Sequence, residues 1–239
     1  MSEWWTYRLR DFLLFSPRTY HRLFEIYNAA IWPAQIVALA LGVAVVLLLR
    51  RGATGGRARA AAAVLAASWL FVAIAFHAKR YATINTAGIQ IAVAFAVEAA
   101  LLAGIGTVGG RLEFERPHDL ASRTGFAILL LALAVEPLAG PLLGRSLRAI
   151  ELFGVAPDPT AVGTLGVLLL ARVRRRWLLM VVPVAWCAVT GLTLFAMKAP
   201  DFWVAPLSAV VAVALASRQR RRVAPERRPP GVAARRAEM

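Results

Sequence analysis

The chain is poor in the residues that build familiar catalytic and metal centres. It holds one cysteine, Cys187, so no intrachain disulfide forms, and three histidines. Only His77 lies near an apolar segment; His21 and His118 fall in flanking stretches. A two-histidine haem site therefore lacks its second ligand, and a zinc site lacks enough histidine and cysteine. No lysine lies within an apolar segment: Lys79 and Lys198 sit at segment ends, which excludes a retinal-type Schiff base. Neither Gly-x-Ser-x-Gly nor His-Glu-x-x-His occurs, so hydrolase readings have little support. The glycine-rich "GIGTVGG" ends an apolar run instead of following a strand, and no Lys-Ser/Thr follows it. It reads as a close-packing helix terminus, not a nucleotide loop. Acids are scarce too, 13 against 28 basic residues, for a net charge of +15.

What the chain has in excess is apolar length. Of its 239 residues 59% are apolar, and the mean hydropathy is +0.63. Runs such as "IVALALGVAVVLLL" and "GFAILLLALAV" carry no polar stripe of the kind a soluble helix shows every three or four residues. Blocks approaching twenty apolar residues match the length needed to cross a ~30 Å hydrocarbon core. The composition predicts an integral membrane protein, all-α, built as a polytopic bundle. Seven apolar segments are read: Ala29–Leu49, Ala60–His77, Ile84–Val108, Gly125–Leu143, Thr160–Ala171, Trp177–Met197 and Phe202–Ala216. The fifth is too short to span alone and needs help from "AIELFGVAPDP" or a buried place in the bundle.

The basic residues cluster in short connectors and in the tail, which is how membrane proteins set orientation, not how they bind nucleic acid. On the seven-segment reading, nineteen of the 28 lie on the side of the odd-numbered connectors and the C-terminus, and nine on the other. The rule that basic loops stay inside then predicts the N-terminus outside and the C-terminus in the cytoplasm. A six-segment reading, which drops the fifth, has as large a bias but pushes "RRGATGGRAR" across the membrane. Three regions follow: an interfacial aromatic and amphipathic segment over 1–28, the transmembrane bundle over 29–217, and a basic, disordered cytoplasmic tail over 218–239. The start mixes Trp4, Trp5 and Tyr7 with Arg8 and Arg10, as headgroup-zone segments do, and shows no cleavable signal. Ser16 is the expected N-cap and Pro17 the first residue of a helix that presents Tyr20, Leu23, Phe24 and Tyr27. The expected partners are the bilayer, anionic headgroups at the basic connectors and tail, and, as a further candidate, another membrane protein, with no nucleic acid.

Ionisable groups at membrane depth are candidate functional residues. Glu98 lies in the inner half of segment three, and Glu136, followed by Pro137 and Pro141, in the outer half of segment four. In "FGVAPDPT", Asp158 or Thr160 is expected to satisfy the free amides at the start of segment five. The turn "FHAKRYATINTAG" places His77, Arg80, Tyr81 and Asn85 on the same outer side, with Lys198 and Asp201 nearby. His77, Arg80, Tyr81, Asn85, Glu136 and Asp158 form the expected ligand site. Each also has a plain structural reading: a polar turn with interface anchors, a protonated acid bonded to a neighbouring helix, a helix cap. Met180 and Cys187 share one face of segment six and read as packing before they read as a soft-metal site. No cofactor or metal is indicated.

Three separated stretches, "MSEWWTYRLRDFLLFSPRTYHRLFEIYNAAIWPAQ", "HAKRYATIN" and "FGVAPDPTAVGTLGVLLL", resemble an uncharacterised bacterial family of small multi-pass membrane proteins. It is classed as a domain of unknown function, and some members carry a loose permease label. The resemblance covers residues 1 to about 217 and implies an inner-membrane location; it assigns no catalytic residues. The expected activity is a small-solute or ion permease, or a solute-binding membrane protein, with an outward-facing polar site. The alternative is a non-catalytic accessory or assembly subunit of a larger membrane complex. An enzyme is the less favoured reading.

Overall fold

The computed structural model describes residues 15–223, so the aromatic start and most of the basic tail lie outside the described residues. The described chain is mostly helical, with one small two-stranded sheet. Helix α1 spans Pro17–Ile31, with Ser16 as N-cap accepting the Thr19 amide at 3.2 Å and Pro17 in the first turn. Its inward face is Tyr20, Leu23, Phe24 and Tyr27, the four positions the spacing picked out. Pro33 cannot continue the hydrogen-bond ladder, and the chain turns by 91° into α2, Ala34–Leu49.

Helix α3, Gly55–Phe71, runs on through a π-helical turn over Val72–Ala78 and a short 3₁₀ turn over Tyr81–Thr83. Next come α4, Gly88–Leu102, with a π turn over Ala103–Val108, and α5, Leu120–Leu130. A capping box starts α5: Asp119 accepts the Ser122 amide at 2.8 Å. The bond from Ser122 holds the Asp119 carboxyl below its ordinary pKa. A third π turn, Leu131–Val135, leads into α6, Glu136–Leu142. Pro137 is its physical cause. Without an N–H it cannot serve the ladder, and the Glu136 amide reaches back five residues to the Leu131 carbonyl. Helices α7, Pro157–Leu170, α8, Arg176–Ala196, and α9, Val204–Val223, complete the bundle.

Among the described residues, four helical runs are long and apolar enough to cross a membrane: Gly55–Thr83, Gly88–Val108, Leu120–Leu142 and Arg176–Ala196. The bent pair α1–α2 makes a fifth if counted as one span, and the apolar part of α9, Val204–Gln219, is shorter. The seven apolar segments of the sequence thus each contain a helix, but four or five reach spanning length. Large apolar side chains face outward in mid-helix, among them Val93 at 58%, Val181 at 60% and Val210 at 65% exposure. Apolar cover on that scale is unusual on a soluble monomer.

The short fifth segment resolves as a buried helix. In α7 every residue from Pro159 to Leu170 is buried. Its 14 residues measure about 21 Å, against about 34 Å for the 23-residue run Leu120–Leu142. Glycines bring it against α5 backbone to backbone. A Cβ on Gly125 would lie 2.6 Å from the Gly166 carbonyl oxygen, and one on Gly166 would lie 2.6 Å from that of Gly125.

At its C-terminal end α7 enters β2, Ala171–Arg172, which pairs antiparallel with β1, Glu113–Phe114. Ala53 bridges to Phe114 on the other edge. Three connectors, after α2, after the α4 run and after α7, are therefore hydrogen-bonded together at one end of the bundle. At the opposite end α7 begins only at Pro157, after a stretch of largely non-helical backbone. There the chain from Ile150 to Ala156 packs inward, burying Leu152, Phe153 and Val155, while the stretch before it, with Leu147 72% exposed, stays at the surface.

Candidate functional site

A buried loop must find partners for its backbone. In this loop Gly154 takes φ +86°, and its amide donates to Thr160 Oγ1 at 2.9 Å, while the Thr160 hydroxyl donates to the Ala156 carbonyl at 2.6 Å. Tyr27 Oη of α1 donates to the Val155 carbonyl at 2.6 Å, and Asn28 Nδ2 donates to the Arg148 and Ile150 carbonyls, both at 2.8 Å. Helix α1 thus straps the loop in place.

The expected capping role of Asp158 and Thr160 is not what the structure shows. The residue at the N-cap is Ala156, with no side-chain cap. Prolines at 157 and 159 carry no N–H, so two of the amides that open most helices are missing and there is little to cap. Asp158 is released to reach across to α8: its Oδ1 accepts from Trp186 Nε1 at 2.7 Å and from Thr190 Oγ1 at 2.8 Å. The positive end of the α7 dipole favours a carboxylate there.

Asp158 borders a cavity of about 60 Å³ between α6, the dipping loop, α8 and the start of α9. The wall contains four carboxylates, Glu136, Glu151, Asp158 and Asp201, and one guanidinium, Arg145. Arg145 pairs with Asp201. Glu136 Oε2, Glu151 Oε2 and Asp201 Oδ1 are buried without a hydrogen-bond partner. Four carboxylates facing one guanidinium cannot all stay ionised in a desolvated site unless protons or a cation join them. No group of three or more His, Cys, Asp or Glu among the described residues closes into a metal-binding shell. The acids ring the space without converging on a point.

Of the expected site residues, Glu136 and Asp158 meet here. His77 and Tyr81 join a neighbouring aromatic cluster. The His77 ring lies 4.3 Å from that of Phe95 and 4.8 Å from that of Trp186, so the Trp186 indole stands between His77 and Asp158. The π turn over Val72–Ala78 carries His77 into this place, wholly buried, with neither ring nitrogen bonded. Asn85 serves its own turn: Nδ2 donates to Tyr81 Oη at 2.8 Å, and Oδ1 accepts the Ala87 amide at 2.9 Å. Arg80 is half-buried and does not border the cavity. Glu98 is fully buried on α4, with both oxygens unpartnered, and lies apart from the cavity.

Sequence reasoning missed Glu151, Arg145, Thr190 and Trp186. The signal for Glu151 was present, since a lone carboxylate in "AIELFGVAP" is as exceptional as Glu98 in its own segment. Trp186 and Thr190 are four residues apart on one face of α8, but nothing in an apolar helix singles out that face.

The fold and the cavity define an all-helical protein with membrane-length helices around a buried acidic site. The chain belongs to DUF6064, a family of unknown function, whose model matches residues 18–227. No curated protein and no solved structure matches it.

Proposed function

We propose that this protein is an integral membrane protein that binds a small cation in the acid-lined cavity, as the site of an ion or cationic-solute permease. One observation carries the reading: three carboxylates around one cavity each keep a buried oxygen that is unpartnered among the described residues, of which Arg145 alone brings a guanidinium to the cavity wall. Unpaired buried acceptors are costly, and a cation is the ligand that offsets them. The acids do not form a closed shell, so the cation is held with part of its water or as an organic ammonium.

The seven-segment topology belongs to this proposal, with the N-terminus outside and the C-terminus in the cytoplasm of a bacterial inner membrane. It is supported by the basic residues on one side and by the small sheet, which joins the three odd-numbered connectors at one end. On this topology α7 and the loop before it form a short pair that crosses together, and the cavity opens outward. Irregular backbone at membrane depth is tolerated where protein buries it or it lines a cavity, and this loop does both. Helix α1 then lies against the outer interface.

Calorimetric titration of the purified protein with sodium, potassium and methylammonium tests the site. The expected result is saturable binding of at least one of them, weakening as pH falls because protons compete for the same oxygens. Glu136→Gln with Asp158→Asn should abolish it while helix content and elution stay unchanged. Equal binding by that variant, or none by wild type, contradicts the reading.

A further inference from the structure

The opposite end of the bundle carries a second, larger depression, a groove of about 790 Å³ bounded by Ile105, Arg111, Arg172, Val173, Arg174 and Arg175. Its chemistry is the reverse of the acidic cavity. Four guanidinium groups and two aliphatic side chains border it, and they come from two connectors far apart in sequence. A topology signal needs basic residues in each connector but not their convergence.

The convergence is built. Gly110 takes φ +58°, and the Arg111 amide returns to the Ile105 carbonyl at 3.0 Å, folding the end of the α4 run back on itself. The Arg59 guanidinium lies against Gly110, 2.7 Å from where a Cβ would stand, adding a positive charge beside the groove. The β1–β2 pairing then fixes residues 171–172 against residues 113–114.

Not all arginines of the "RVRRR" run are free. Arg172 pairs with Glu115, and Arg176 donates to Gln219 and to the Ala171 carbonyl. Arg111, Arg174 and Arg175 are exposed and make no ion pair or side-chain hydrogen bond among the described residues. Helix α8 starts at the same place. Arg175 is its N-cap, with no side-chain cap and no acid in the first turn, so its first amides and positive dipole end add to the potential for an anion. Beyond the arginines the surface turns apolar, with Val108 at 77% and Leu178 at 43% exposure.

We propose that this groove is a binding site for the phosphate headgroup of an anionic phospholipid. The guanidinium groups of Arg111, Arg174 and Arg175 hold the phosphate oxygens, and an acyl chain lies along the apolar surface near Val108 and Leu178. Forked guanidinium donors suit phosphate oxygens. A free phosphate would use the charges and leave the aliphatic half of the groove without purpose, which is why the lipid is the favoured source. The proposal is independent of the cation site.

Native mass spectrometry of the full chain released from detergent tests it, with phosphatidylglycerol, phosphatidylcholine and inorganic phosphate as separate probes. Phosphatidylglycerol should stay bound, and the other two should not. Arg111→Gln, Arg174→Gln and Arg175→Gln together should weaken its retention by on the order of a hundredfold, from the usual contribution of a basic residue near an anionic surface. Arg50→Gln with Arg51→Gln, at the same end but outside the groove, should leave retention near wild type. As a check that needs no variant, a photoactivatable phosphatidylglycerol should crosslink wild-type peptides containing 105–111 and 172–178. Equal loss in both variants would reduce the effect to general charge and overturn the site. So would retention of phosphate alone, or crosslinks spread evenly over the apolar surface.

Discussion

Asp158 shows how one side chain acquires a role that its neighbours decide. Flanked by Pro157 and Pro159, it has no row of amides to cap, so its carboxylate is directed to Trp186 and Thr190 on α8. Truncation should therefore cost more than neutralisation. Asp158→Ala leaves an indole N–H and a threonine hydroxyl without their acceptor, each a loss of about 1–3 kcal/mol when buried. Asp158→Asn keeps an oxygen for them. Thermal melts in detergent should show a clearly lower midpoint for the alanine variant and a near-native one for asparagine; equal melts would mean that these bonds do not hold α7 to α8. That Asp158 and Glu136 stand out was legible, because carboxylates in apolar sequence are conspicuous, and both line the cavity. Arg145 was hidden, because an arginine at a segment end reads as an interface anchor until its ion pair with Asp201 is seen.

Among the elements, α7 holds the arrangement together. The sequence marked its run as too short to span and offered a buried place as one way out, and the structure adopts it. What was not legible is which apolar helices face protein and which face outward. Leucine, valine and alanine suit both surroundings, so an apolar sequence carries no stripe that separates them. The small sheet was equally hidden, since two-residue strands in arginine-rich connectors have no period to read. Burial of α7 has a direct consequence at its glycines. Gly166→Leu places a side chain where the α5 backbone already lies, and overpacking of this kind typically costs about 1–3 kcal/mol, more where backbone must move. Exposed Gly104, with open space around it, should accept alanine with little change. Comparing the melting points of Gly166→Leu and Gly104→Ala checks this; similar values would contradict the close α5–α7 contact.

At the scale of the whole molecule the chain has two chemically opposite ends. One gathers arginine-rich connectors around a small sheet, and the other folds a loop inward to line an acidic cavity. The clustering of arginines in the connectors was readable from the sequence, and the structure joins three of those connectors through the small sheet. Labelling of single cysteines with a membrane-impermeant maleimide tests the orientation, with the buried Cys187 giving little background. Lys79→Cys should react in intact cells, and Arg51→Cys and Arg174→Cys only after permeabilisation. The reverse pattern would invert the orientation, and Arg51 and Arg174 reacting from opposite sides would break the seven-segment path.

The central claim is that the acidic cavity takes a cation across the bilayer, and flux tests it most directly. Proteoliposomes holding wild type, Glu136→Gln or Asp158→Asn would be loaded with a cation that binds in the titration, and its efflux followed. Efflux should be well above that of empty liposomes for wild type and fall to the empty-liposome rate in both variants at equal protein incorporation. Efflux that is the same in all three proteins, or no faster than in empty liposomes, would contradict it.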